Sequence, residues 1–137
     1  MLEIDAQTDY VAIRVAAGLP GFPNVRDFQL GPWGPPGSPY LLLRAVDNPD
    51  VAFVVVPPWV FYPDYEFDLD DATAEHLALN VADDAIVLAV VTLRERADEA
   101  TLNLLGPIVV NRHTHEAAQV VLPTTSHSVR APLAFAG

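Results

Sequence analysis

The sequence predicts a mainly β protein, a small antiparallel β-barrel-like domain with one short helix. Three observations predict it. Short runs of β-branched and aliphatic residues recur along the chain. Turn formers separate them, with 13 prolines and 7 glycines among 137 residues. No strand–helix alternation and no repeat of fixed period is present. A chain of this length is expected to form one domain, 1–137, and to bury about two thirds of its unfolded surface.

The elements follow in order. Tyr10–Val15, YVAIRV, alternates in part and reads as the first strand. Gly18–Asn24, GLPGFPN, is a turn, and Val25–Leu30 is the next strand. The loop Gly31–Pro39, GPWGPPGSP, is expected to stay out of any regular sheet, because proline has no N–H to donate. Tyr40–Val46 is a strand, DNPD (Asp47–Asp50) a turn, and Val51–Val56 an apolar run that suits a strand buried on both faces. DATAEHLAL, Asp71–Leu79, is the one expected helix. Asp70 or Asp71 caps it, Asn80 closes it, and Ala74 and Leu77 rest on the sheet. Ile86–Leu93 carries the strongest strand signal, and RERADEA is a charged turn. Thr101–Asn111 reads as two strands interrupted at Gly106-Pro107, where proline predicts a bulge, kink or edge. Gln119–Leu122 and Ser126–Arg130 complete the sheet.

Charge narrows the function. Eighteen acids face seven arginines, lysine is absent, and the net charge is −11. Between Arg44 and Arg94 there are ten Asp or Glu and no cation. Such a field repels phosphate backbones, which excludes direct nucleic-acid binding, and it attracts basic proteins. Acidity of this kind also keeps a small domain in solution. The absence of cysteine excludes disulfides and thiolate metal sites. The start, MLEIDAQTDY, has no basic n-region, and no apolar run approaches the roughly 20 residues of a membrane helix. A cytoplasmic monomer with no membrane contact is expected.

The residues that invite a chemical reading lie in Pro57–Asp71, PPWVFYPDYEFDLDD. Asp64, Glu66, Asp68 and Asp70 share one face of an extended segment, with Tyr65, Phe67 and Leu69 on the other. Any half-exposed strand shows this pattern, so the comb is either a solvated face or a docking surface. A calcium loop of the EF-hand type needs glycine at the sixth position, which from Asp64 is Leu69. Carboxylates on one strand face do not flank a sugar from two sides. Trp59, Phe61, Tyr62 and Tyr65 beside this acidic rim match the composition of a protein-binding hot spot, and each alone also suits a core plug. His113 and His115 are a possible zinc pair, but they fall in an expected hairpin turn without a third ligand. Ser126 and Ser128 flank His127, but neighbours in a strand point to opposite faces, which argues against a serine–histidine pair, and neither a nucleophile elbow nor a phosphate-binding glycine pattern occurs. The residues thus argue against an enzyme and against any cofactor.

In order along the chain, GLPGF (Gly18–Phe22), AVDNPDVAFVVVPP (Ala45–Pro58), YPDYEFDL (Tyr62–Leu69), IVLAVVTL, TLNLLGPIVVN, QVVL (Gln119–Leu122) and SVRAPL (Ser128–Leu133) resemble the flagellar assembly factor FliW family. The resemblance spans nearly the whole chain. It implies a β-barrel-like fold and a non-enzymatic regulator that binds CsrA, a small basic repressor of flagellin translation, and flagellin as a competing partner. On this reading Asp47, Asp50, Trp59, Phe61, Tyr62, Asp64, Tyr65, Glu66, Asp68 and Asp70 are the candidate partner-binding residues. The alternatives are a flagellin-only chaperone and a small barrel that takes an apolar ligand.

Overall fold

The computed structural model describes residues 10–19, 21–48, 50–92, 100–122 and 131–132. They contain β1 (Val11–Val15), β2 (Asp27–Pro32), β3 (Leu41–Ala45), β4 (Ala52–Val56), β5 (Ala85–Thr92), β6 (Thr101–Asn111), β7 (Glu116–Gln119) and β8 (Ala131–Pro132), with one α-helix, α1 (Asp71–His76). Neighbours run β5-β4-β3-β2-β1-β7-β6, and β6 pairs again with β5, so seven strands close into a barrel. β8 pairs with the first residues of β6. The expectation of a mainly β, barrel-like fold with one short helix is met.

The barrel is not wholly antiparallel. β1 and β7 run parallel, with Arg14 opposite Glu116 and Val15 opposite Ala117. Seven strands that alternate in direction cannot close without one parallel seam, and it falls between β1 and β7.

Alternating side chains fill the barrel: Ile13 and Val15 from β1, Phe28 and Leu30 from β2, Leu43 from β3, Val55 from β4, Leu88 from β5 and Ile108 from β6. β5 and β6 are buried on the outside as well. There Val56, Ala89, Val91, Leu102 and Leu104 pack under Tyr65, with Phe61, Tyr62 and Phe67 alongside. Val87, Val109 and Val120 pack under Leu77 in the same way. The chain from Pro57 to Asp84 therefore lies across the outer face of β5 and β6, which is why Ile86–Val91 is apolar at every position.

Several boundaries differ from expectation for physical reasons. Gly31 and Pro32 do join the sheet, opposite Leu42 and Leu41. The ladder survives because the Trp33 amide, not Pro32, makes the next bond, to Tyr40 O at 3.1 Å. Thr101–Asn111 is one strand rather than two. Its partner register jumps from Leu88 opposite Ile108 to Val90 opposite Asn103, so Gly106-Pro107 sits in a bulge. Asn103 Oδ1 accepts the amides of Leu105 and Gly106 at 3.0 Å each, and Gln119 Nε2 donates to Gly106 O at 2.8 Å. These side chains satisfy backbone groups that the bulge removes from the ladder.

The last described long-strand pairing starts earlier than the expected Gln119–Leu122. β7 begins at Glu116, and Val120 and Leu122 still bond to β6 beyond it. Helix α1 stops at His76 instead of Leu79, and Ala78 (φ 55°), not Asn80, makes the reversal. Buried Asn111 on β6 supplies the reason: its Nδ2 donates to Leu77 O at 2.7 Å and stops the helix from outside. Leu77 rests on the sheet as expected, fully buried. Most of the RERADEA turn, the Ser126–Arg130 strand and the His127 group lie outside the described residues.

Candidate protein-docking site

The candidate site starts where β4 ends. Pro57 is extended and Pro58 opens a 3-10 turn, Pro58–Val60, closed by Val60 N to Pro57 O at 3.1 Å and Phe61 N to Pro58 O at 3.1 Å. The turn lifts Trp59 to the surface, where it is 41 % exposed. Its indole is fixed in place: Nε1 donates to Tyr65 O at 2.7 Å, and the ring meets Tyr65 edge-on at 6.0 Å. A second turn, Tyr65 N to Tyr62 O at 2.9 Å, then leads into residues 65–70, which belong to no strand.

The expected alternation holds along this segment. Tyr65, Phe67 and Leu69 face inward, while Asp64, Glu66, Asp68 and Asp70 are exposed. Tyr65 is a core residue, 5 % exposed, whose hydroxyl donates to Leu104 O at 2.8 Å. Burial pushes its phenol up to about 12, so it stays a neutral donor. Its ring packs into the cluster over β5 and β6, at the base of the surface that carries the other candidate contacts of this segment. Phe61 and Tyr62 are half-buried against the same cluster. Asp70 is exposed but occupied. Its Oδ1 accepts the Thr73 amide at 2.9 Å as the N-cap of α1, and the Thr73 side chain and amide hold its carboxyl below the ordinary value.

Asp47 and Asp50 are exposed but lie apart from this segment. They lie in the turn between β3 and β4, where Asn48 Oδ1 accepts the Asp50 amide at 3.2 Å. The five residues of β4, about 16 Å at 3.3 Å each, separate that turn from Pro57. One aromatic missed in the sequence does join the site. Trp33, from the Pro/Gly loop, meets Tyr40 edge-on at 6.1 Å, and Tyr40 in turn lies 6.1 Å from Phe61. A tryptophan standing alone among turn formers was its only signal.

The other candidates resolve into structural roles. His113 and His115 sit in the β6–β7 turn, where Asn111 Oδ1 accepts the His113 amide at 2.8 Å. His113 Nε2 lies 3.1 Å from Asp84 Oδ1. Asp84 Oδ2 accepts the amides of Asn80 at 3.0 Å and Val81 at 3.2 Å, and these bonds hold its carboxyl low. Among the described residues no group of three or more His, Asp or Glu is placed to hold a metal. A cavity of about 460 Å³ opens beside the β6 bulge between Leu19, Phe53, Val90 and Leu105. Of its polar side chains, Asn103 and Gln119 are the two that hold the bulge, so its lining is apolar with its amides committed to the fold. Among the described residues no helix is long and apolar enough to cross a membrane.

Comparison with known proteins agrees with the fold and extends it. The family model described as FliW protein matches residues 1–133. The flagellar assembly factor FliW of Bacillus licheniformis is 40 % identical over 116 residues, 85 % of this chain and 80 % of that protein. Its Bacillus subtilis (strain 168) counterpart is 39 % identical over 117 residues, 85 % of this chain and 81 % of that protein. A crystal structure of the flagellar assembly factor FliW superposes with a TM-score of 0.82 at 33 % identity, covering 96 % of this chain and 89 % of that one. A family match over nearly the full length, close relatives and a shared seven-strand barrel lead to one conclusion: this chain belongs to the FliW family of flagellar assembly factors.

Proposed function

We propose that the chain is a non-enzymatic cytoplasmic regulator of flagellar assembly that binds the basic repressor CsrA and, in competition with it, flagellin. One observation carries the reading. Asp64, Glu66 and Asp68 stand exposed beside Trp59 on a ladder-free segment, within a span from Arg44 to Arg94 that has no cation. A surface of this kind draws in a cationic partner and repels RNA that approaches the same partner, over the roughly 8–10 Å of an ionic atmosphere. Inhibition of RNA binding then needs no occupation of the RNA site itself.

Calorimetric titration with the CsrA homologue of the same organism, with and without flagellin, tests this. Tight binding that flagellin abolishes is expected. Binding of flagellin alone would replace the reading with a chaperone, and silence with both partners would end it.

A further inference from the structure

We infer that the cleft beside Trp59 seats an arginine side chain of the docking partner, an inference that rests on the protein-docking reading above. The cleft, of about 480 Å³, is lined by Trp59, Pro63, Tyr65, Glu66, Phe67 and Asp68. Four of these six are aromatic or proline, so the shallow cleft carries apolar side chains beside its charges. The Trp59 N–H is spent on Tyr65 O, so what the half-exposed indole offers a ligand is its aromatic ring rather than a hydrogen bond. That ring is held still by the contact with Tyr65 and by the proline-started turn, so little freedom is lost when a ligand packs on it.

Glu66 and Asp68, two residues apart, stand on the exposed side of the same segment. Neither has an ion-pair partner among the described residues. An aromatic face beside carboxylates selects a cation that is flat. A guanidinium stacks on an indole while its fork of N–H groups reaches a carboxylate, whereas an ammonium meets the same acids as a point charge and gains less from the ring. The occupant is therefore a peptide-borne arginine. A phosphate backbone or an anionic membrane is repelled by the same charges.

The test uses the full ¹⁵N-labelled chain and three peptides, acetyl-Gly-Arg-Gly-amide and its lysine and citrulline counterparts. The chain has two tryptophans, so the Trp59 indole N–H is one of two such NMR signals and is assigned with Trp33→Phe. The arginine peptide is expected to move it saturably, with affinity about two- to fivefold above the lysine peptide. Citrulline should leave it in place. Glu66→Gln with Asp68→Asn should weaken arginine and lysine alike, whereas Trp59→Leu, followed through the backbone amides of Glu66 and Asp68 because its indole signal is gone, should abolish the preference between them. Equal affinity for arginine and lysine, or an unmoved Trp59 signal, overturns the arginine seat. Should Trp59→Leu misfold, the comparison of peptides on the unaltered chain still decides. Calorimetry with the whole partner judges the docking reading separately, so either can fail alone.

Discussion

Gly106 shows how much rests on a single missing methyl group. A Cβ there would lie 2.6 Å from Gln119 Nε2 and 3.1 Å from Asn103 Nδ2, the two side chains that satisfy the bulge in β6. Gly106→Ala should push the Gln119 amide off Gly106 O, costing about 1–2 kcal/mol in urea denaturation. In the Gln119→Ala background the same substitution should cost clearly less, because the obstructing amide is gone. Additive effects of the two substitutions would refute this account of the bulge. The dipeptide Gly-Pro announced an irregularity, but nothing nearby in the sequence named Gln119 as the side chain it serves. The same limit holds for Trp59 and Tyr65. Both are aromatics in one short motif, and only the folded chain separates them, burying Tyr65 in the cluster over β5 and β6 with its hydroxyl on Leu104 O and leaving Trp59 half-exposed.

The segment from Pro57 to Asp84 carries the proposed docking site, and three side chains pin its second half. Asp70 caps α1, Asn111 reaches from β6 to Leu77 O, and Asp84 gathers the loop amides of Asn80 and Val81. The Asp70 and Asp84 carboxyls are held below the ordinary value of 3.8 by donors that exist only in the folded chain. Folded, they bind protons less readily than unfolded. Their contribution is thus complete above that ordinary value and is lost as the pH falls through the lowered folded values. Unfolding free energy, followed by denaturant titration from about pH 5 down to about pH 3, should decline less steeply in Asp84→Asn than in the unaltered chain. Identical slopes would show that this carboxylate does not couple the loop to pH. Helical propensity and an Asp cap were readable in the sequence; the early stop at His76 was not, because Asn111 lies 34 residues downstream of Leu77.

At the scale of the molecule the charge field is the proposed guide for a basic partner. Structure divides the acids. Asp70 is bound up in a cap, and Asp47 and Asp50 lie across β4, which leaves Asp64, Glu66 and Asp68 as the exposed comb. Asp64→Asn, Glu66→Gln and Asp68→Asn together should slow association with a basic partner by about tenfold at low salt and flatten its salt dependence. Stopped-flow mixing at two ionic strengths measures both, and unchanged rates would remove the comb from the encounter.

The sequence by itself determined the mainly β class, the turns, the helix cap, the inward and outward sides of residues 64–70 and the resemblance to the FliW family. The first four are properties of spacing and composition, which act over a few residues, whereas the resemblance rests on a series of segments in order along the chain. Tertiary structure alone decided the parallel seam between β1 and β7, the burial of Tyr65, the meeting of Trp33 with Tyr40 and the separation of Asp47 and Asp50 from the comb. Each of these depends on which distant segments meet when seven strands close. An odd-stranded ring forces the seam, and the outer faces of β5 and β6 draw the 57–84 segment over them to be covered.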